Sequence, residues 1–280
     1  MVTKFLRYPG GKCKALTLSY DDGVEHDIRM IEIMKKHGLK GTFNLNSGLF
    51  GPEDRINRGK WHRRISKTEA LEVYTPDVCE VACHGVTHEF CEYCDSASFA
   101  LEILDDRRNL ENLFQRQIHG MAYANGSYND TVVDVCKNAG IYYARTCIAT
   151  KKFEFPTDWL RLPTTCHHRV PELNDLVEQF LNIKTVKYGP KLFYLWGHTY
   201  EFADNDNWDV IENFAEKMGG HDDIWYATNI ELYYAWLDYQ RLECSADGSI
   251  IHNPSERSVW IADRKGTTYE IAPGQTITIK

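Results

Sequence analysis

Three short stretches of this 280-residue chain hold the residue types that metal-assisted hydrolysis needs. Ser19-Tyr20-Asp21-Asp22-Gly23 sets two carboxylates where an apolar run ends at a glycine. His84-Gly85-Val86-Thr87-His88 sets two imidazoles four residues apart, and Leu195-Trp196-Gly197-His198-Thr199-Tyr200-Glu201 brings a third to the close of another apolar run. Two imidazoles and one carboxylate can hold a divalent ion that activates water. A second carboxylate and a third histidine are then left to move protons.

Each fragment has a bland alternative: a helix cap for Asp-Asp-Gly, surface histidines for the pair, a core residue for His198. Their combination is the specific signal. Adjacent residues on extended backbone point in opposite directions, so Asp21 and Asp22 are expected to split into one metal ligand and one base. On a helical turn, positions i and i+4 share a face, so His84 and His88 are expected to reach one ion. Gly85 stands where the metalloprotease motif His-Glu-x-x-His carries its glutamate, so the base must come from elsewhere, and the aspartate pair can supply it.

The elements that must position these groups alternate from residue 14 to residue 238. Apolar strand patterns are expected at 15–20, 41–46, 78–83, 120–123, 142–146, 191–196 and 224–228. Helical patterns fall at 27–37, 99–114, 131–139, 174–183, 207–218 and 230–239, with Gly38 stopping the first. About seven strand-then-helix units favour an α/β fold of parallel-barrel type, with an open doubly wound sheet as the alternative. From residue 241 to 280 the texture changes to short alternating strands with Asp247-Gly248 and Pro273-Gly274 turns. This stretch reads as a small antiparallel appendage, too short for its own core, on a barrel formed by residues 1–240, whose end it is expected to cover.

Composition narrows the partners. A formal net charge of −8 argues against nucleic acid, and no apolar run reaches the roughly 18 residues that a membrane span requires. The first residues lack the apolar core of a signal peptide. The 9 cysteines are odd in number and scattered, so reduced thiols and a cytoplasmic location are expected. Cys91-Glu92-Tyr93-Cys94 has no second Cys-x-x-Cys downstream to complete a zinc site, so these are read as incidental thiols.

The three fragments resemble the motifs of polysaccharide deacetylases of carbohydrate esterase family 4. The resemblance implies a distorted (β/α)7 barrel, TIM-like, and hydrolytic removal of an acetyl group from an N- or O-acetylated sugar or glycan. It further implies Asp21 as the base, Asp22, His84 and His88 as ligands of a divalent metal (zinc foremost, with cobalt, nickel or manganese as alternatives), and His198 as the acid. The alternative within hydrolysis is an amidase or imidase acting on a small amide. The family's Arg-Pro-Pro-Tyr-Gly motif is replaced by Met121-Ala122-Tyr123-Ala124-Asn125-Gly126. Arg145, at a strand end, is the candidate to supply the missing charge beside Asp21. Tyr123 is expected near the site, with a backbone N–H toward the oxyanion, and Trp196 and Tyr200 are further candidate substrate contacts. Asp158-Trp159 resembles the end of the fourth motif, and either His167 or His168 is expected to face the cleft.

Overall fold

The computed structural model describes residues 3–51, 54–57, 60–184 and 186–279. Met1, Val2 and Lys280, at the ends of the two expected units, lie outside them. Seven parallel strands form the frame: β1 (Lys14–Asp21), β2 (Gly41–Leu45), β3 (Cys79–Cys83), β4 (Gly120–Ala122), β5 (Tyr143–Ala149), β6 (Leu162–Thr164 and Cys166–His167) and β7 (Lys191–Gly197). Each of β1 to β5 pairs with the next. The first half of β6 pairs with β5, its second half with β7, and β7 returns to β1. Thr165, at the switch, donates its N–H to the Tyr194 carbonyl. The pairings therefore run round a ring, as the (β/α)7 expectation requires. The expected strand at 224–228 is observed as Ile224–Tyr226 and pairs only with the start of β1.

Helices follow the strands: α1 (Asp27–His37), α2 (Lys67–Val73), α3 (Ser96–Phe114), α4 (Asp130–Asn138), α5 (Leu173–Leu181), α6 (Tyr200–Asp204), α7 (Asp209–Met218) and α8 (Asn229–Gln240). Their apolar faces bury against the ring, α1 through Met30, Ile31, Ile33 and Met34. Gly38 ends α1 at φ 67°, where a Cβ would be penalised.

Alternation at period two puts every second strand residue in the ring's interior. That interior is polar at both ends: Thr17, Thr42, Glu80, Tyr143 and Tyr194 near the strand starts, and Asp21, Asn44, His84, Arg145 and His198 at or just past their C-terminal ends. Gly120 makes room for this layer, since a Cβ there would lie 2.1 Å from the Tyr143 ring. Beyond α8, Glu243–Cys244, Ile250–His252 and Thr276–Thr278 form one small antiparallel sheet. Val259–Ala262 and Thr268–Ile271 form another with the N-terminal strand Phe5–Arg7. A core of its own was not expected here, yet Leu242, Ile251, Val259, Ile261, Ile271 and Ile279 gather into an apolar cluster joined by Tyr239 of α8.

Candidate metal centre and active site

Asp21 ends β1, and Asp22 leaves it at φ 85°, a left-handed conformation costing a non-glycine residue about 1–2 kcal/mol. Two contacts hold it there. The Asp22 N–H donates to the Asn44 carbonyl at 3.0 Å, and Arg64 donates to the Asp22 carbonyl. This bend overturns the expectation that the neighbouring carboxylates diverge, because the backbone is not extended at Asp22. Both converge on the same histidines: His84 Nε2 lies 3.9 Å from Asp21 and 4.0 Å from Asp22, and His198 Nε2 lies 3.8 Å from each.

The His84–His88 segment is not a helical turn. Left-handed Gly85 (φ 81°) and His88 (φ 65°) curl the loop so that the two rings stand 4.8 Å apart, edge to face. Asp106, from α3, fixes the curl by accepting the N–H groups of Ser47, His84 and Gly85 at 2.8, 2.9 and 3.0 Å. Asn46 donates to the His84 and Gly85 carbonyls from the other side. His84 Nδ1 donates to the Ala122 carbonyl at 2.8 Å, so its Nε2 lone pair faces the cleft. Burial pushes His84 down to about 3, which keeps it neutral.

These residues fit a metal. The donor atoms of Asp22, His84 and His88 lie within 4.8 Å of one another. His88 Nε2 is 3.5 Å from Asp22 Oδ1, and His84 Nε2 is 4.0 Å from it. Two ligand atoms each about 2.1 Å from one ion are separated by about 3–4 Å. An N,N,O set of two neutral imidazoles and one carboxylate suits zinc and its neighbours among the divalent ions.

Asp21 is set apart from this trio by its own partners. The Arg145 guanidinium donates to Asp21 Oδ2, and the Asn44 amide donates to Oδ1 at 2.8 Å. Burial works to raise the Asp21 pKa, but Arg145, His84, His198 and the Asn44 hydrogen bond outweigh it and lower it to about 2. Arg145 lies in register with Ala122 on the neighbouring strand, so the charge absent at 122 arrives from one strand away. Its guanidinium stacks 4.4 Å over the Trp196 ring.

On the other side, Glu201 gathers donors. His167 Nε2, His168 Nε2 and His198 Nδ1 lie 3.1, 3.2 and 3.4 Å from its Oε2, and Arg169 donates to its Oε1 at 2.9 Å. Burial opposes its ionisation, yet the imidazoles facing it hold the carboxyl well below the usual carboxylate range. His167, His198 and Glu201 also lie close enough together to suggest a second metal group. The Arg169 N–H donates to His167 Nδ1 at 3.1 Å, however, so His167 Nε2 carries its proton toward Glu201. That cluster is a hydrogen-bond hub.

The aromatic residues expected at the substrate are largely buried. Tyr123, Trp196 and Tyr200 are only 1, 8 and 5% exposed. Tyr123 donates its hydroxyl to the Leu160 carbonyl and its N–H to the Arg145 carbonyl, so neither meets an oxyanion. Trp196 lies beneath Arg145 and against His167, and Tyr200 stacks between His62 and His198. Large rings at strand ends bury more area against these neighbours than at an open rim. Asp158 caps the turn at 159–161 and pairs with Arg161. Cys91 and Cys94 are free thiols that belong to neither candidate metal group of the described residues.

Reasoning from the sequence missed Asp106, Asn44 and the role of Glu201. Asp106 had a signal, since it interrupts the buried α3 face formed by Phe99, Ile103 and Leu110. Glu201, three residues after His198, had a weaker one. Asn44 had none.

The polysaccharide deacetylase family matches residues 5–144, half of the chain, and the chain belongs to that family. No curated protein matches it. Among solved structures it is similar to a family 4 carbohydrate esterase from Streptomyces lividans in complex with acetate (13% identity, 76% of this chain and 91% of that one, TM-score 0.48). It is also similar to a CE4 family pseudoenzyme from Bacillus anthracis (18% identity, 82% and 68%, TM-score 0.47). A third likeness is to the Streptococcus pyogenes deacetylase PplD in complex with acetate (19% identity, 52% and 62%, TM-score 0.44), less than two thirds of whose length is matched. Among the described residues, no helix is long and apolar enough to cross a membrane.

Proposed function

We propose that this protein is a metal-dependent deacetylase that releases acetate from an N-acetylated sugar unit, with an O-acetylated sugar as the variant substrate. The observation that carries the reading is the convergence of the Asp22, His84 and His88 donors within 4.8 Å, flanked by Asp21 and His198. Those three residues hold the divalent ion, with zinc the first choice. When bound, such an ion polarises the scissile carbonyl and lowers the pKa of its water towards about 7.

The remaining steps belong to the protein. Asp21 takes the proton of the attacking water, and Arg145 keeps that carboxylate ionised and aimed. His198 presents Nε2 to the same cleft and protonates the departing amine. Its Nδ1 rests on Glu201, which fixes the ring orientation. The test is acetate release from chito-oligosaccharides by protein treated with a chelator and then resupplied with zinc or cobalt. Loss and recovery of release support the proposal, and release indifferent to the chelator refutes the metal assignment. Ring opening of cyclic imides with no acetate release would replace the sugar reading with the small-amide one.

A further inference from the structure

A second pair of histidines lies beside the reaction centre and takes no part in the steps above. The strands Asp54–Asn57 and Lys60–Arg63 pair as an antiparallel hairpin between β2 and α2. His62, on the second strand, is 4% exposed and has a polar partner at each ring nitrogen. Its Nε2 lies 2.9 Å from Asp204 Oδ1 at the end of α6, and its Nδ1 lies 3.0 Å from His26 Nε2 just before α1. A carboxylate only accepts, so His62 Nε2 carries the proton toward Asp204. His62 Nδ1 is then an acceptor, and His26 Nε2 donates to it.

Hydrogen bonds at both nitrogens leave the plane of an imidazole little freedom. That plane matters because of what lies against it. The Tyr200 ring stacks on His62 at 5.4 Å between centroids and 25°, and meets the His198 ring at 5.1 Å and 32°. The same short helix, α6, thus brings Tyr200 to the His198 ring and Glu201 to its Nδ1 edge, while Asp204 fastens the helix end to His62. Lys60 adds a second fastening, donating to the Asp204 carbonyl at 2.5 Å. The hairpin itself is fixed to the Asp22 loop. The Ile65 N–H donates to the Gly23 carbonyl and the Glu25 N–H to the Arg63 carbonyl, both at 3.0 Å, and Arg64 donates to the Asp22 carbonyl. His62 therefore sets where α6 stands relative to the loop that carries Asp22.

We propose that His62 is a positioning residue: its hydrogen-bond chain from His26 to Asp204 holds α6 so that Tyr200 and Glu201 aim His198 Nε2 at the reaction centre. This rests on the deacetylase reading above. The experiment compares His62→Phe, which keeps a ring against Tyr200 without hydrogen bonds, with His62→Gln, whose amide can still donate to Asp204. On chitotetraose, His62→Phe should lose about tenfold in acetate-release kcat with KM changed less than about twofold, and His62→Gln should regain most of that loss. His26→Leu, at a half-buried position that spares the core, cuts the other bond and should cost about threefold in kcat; it decides the matter where His62→Phe does not fold. Unchanged kcat in His62→Phe or in His26→Leu, or equal losses in His62→Phe and His62→Gln, would overturn the positioning role.

An imidazole NMR measurement on the chelated protein separates this inference from the reading it rests on. The His198 ring signals should move in His62→Phe and coincide with wild type in His62→Gln. Those shifts, with no acetate release by wild type, would retain the positioning and sink the deacetylase. Release by wild type with the His198 signals unmoved in His62→Phe would do the reverse.

Discussion

The ring of strands carries two buried polar networks, one at each end, and several strands contribute to both. At the closed end, Glu80 accepts from Tyr143, Thr42 and the Ile230 N–H at 2.7, 2.9 and 2.9 Å. Asn229 completes the set through Thr17 and the Tyr194 hydroxyl. At the open end, two to four residues further along those strands, Arg145 Nε and Nη1 and Trp196 Nε1 meet no acceptor among the described residues. A network whose donors and acceptors are spent on one another fixes a fold. One layer of alternating residues thus serves stability below and chemistry above, as parallel barrels commonly divide their ends.

The division can be broken most forcefully at the metal trio. His84→Ala or His88→Ala should strip the ion and lower acetate release by more than about a thousandfold, read beside elemental analysis of the purified variants. Asp21→Asn and His198→Ala should keep the ion and still lose about 10²–10⁴ in kcat. A variant of either class that is fully active would dissolve the contrast between the two ends.

Arg145→Met sharpens it further. Asp21 has its pKa depressed from 3.8 to about 2, so the stabilisation it draws from its partners is present above the ordinary aspartate range and is lost as the pH falls toward 2. Removing Arg145 leaves burial to raise that pKa. The acidic limb of the pH–rate profile should therefore move upward by about a unit or more, and kcat at neutral pH should fall by about tenfold. An unmoved limb would mean that Arg145 does not govern the base.

At the closed end the expected signature is the opposite. Tyr143→Phe leaves Glu80 one donor short and should lower stability by about 1–2 kcal/mol, a loss visible in thermal denaturation, with kcat/KM changed less than about twofold. Burial has pushed Glu80 up to about 7, so its neutral form is the one the fold favours. Stability linked to Glu80 is thus full below its ordinary value of 4.5 and declines as the pH rises through 7. The smallest effect is expected for Tyr123→Phe: about 1 kcal/mol of stability, with turnover intact.

Much of this architecture was legible because apolar periodicity and glycine stops are local signals. The expected helix at 27–37 coincides with α1, and Gly38 ends it as read. β6 was legible only as a stretch on or near a strand at 164–168, since Leu162-Pro163-Thr164-Thr165-Cys166-His167 has a proline and no apolar run, and its two neighbours make it a strand. α2 was overlooked although Ser66 and Glu69 form a capping box at its start. The candidate trio of Asp22, His84 and His88 was picked out by spacing, but the geometry that brings it together could not be. Curled loops at Asp22, Gly85 and His88 depend on Arg64, Asn46 and Asp106, which arrive from distant segments. The aromatic residues were chosen by ring type alone, which says nothing about which face is already covered.

The bend at position 22 places two independent demands on a single residue. The backbone there admits little besides glycine, asparagine and aspartate, and only the last of these brings a charge to the cleft. On the proposed reading an asparagine would thus act as a silent decoy, preserving the loop's shape while removing the charge that would hold the ion. Such a protein offers a folded, inert twin for trapping an intact glycan.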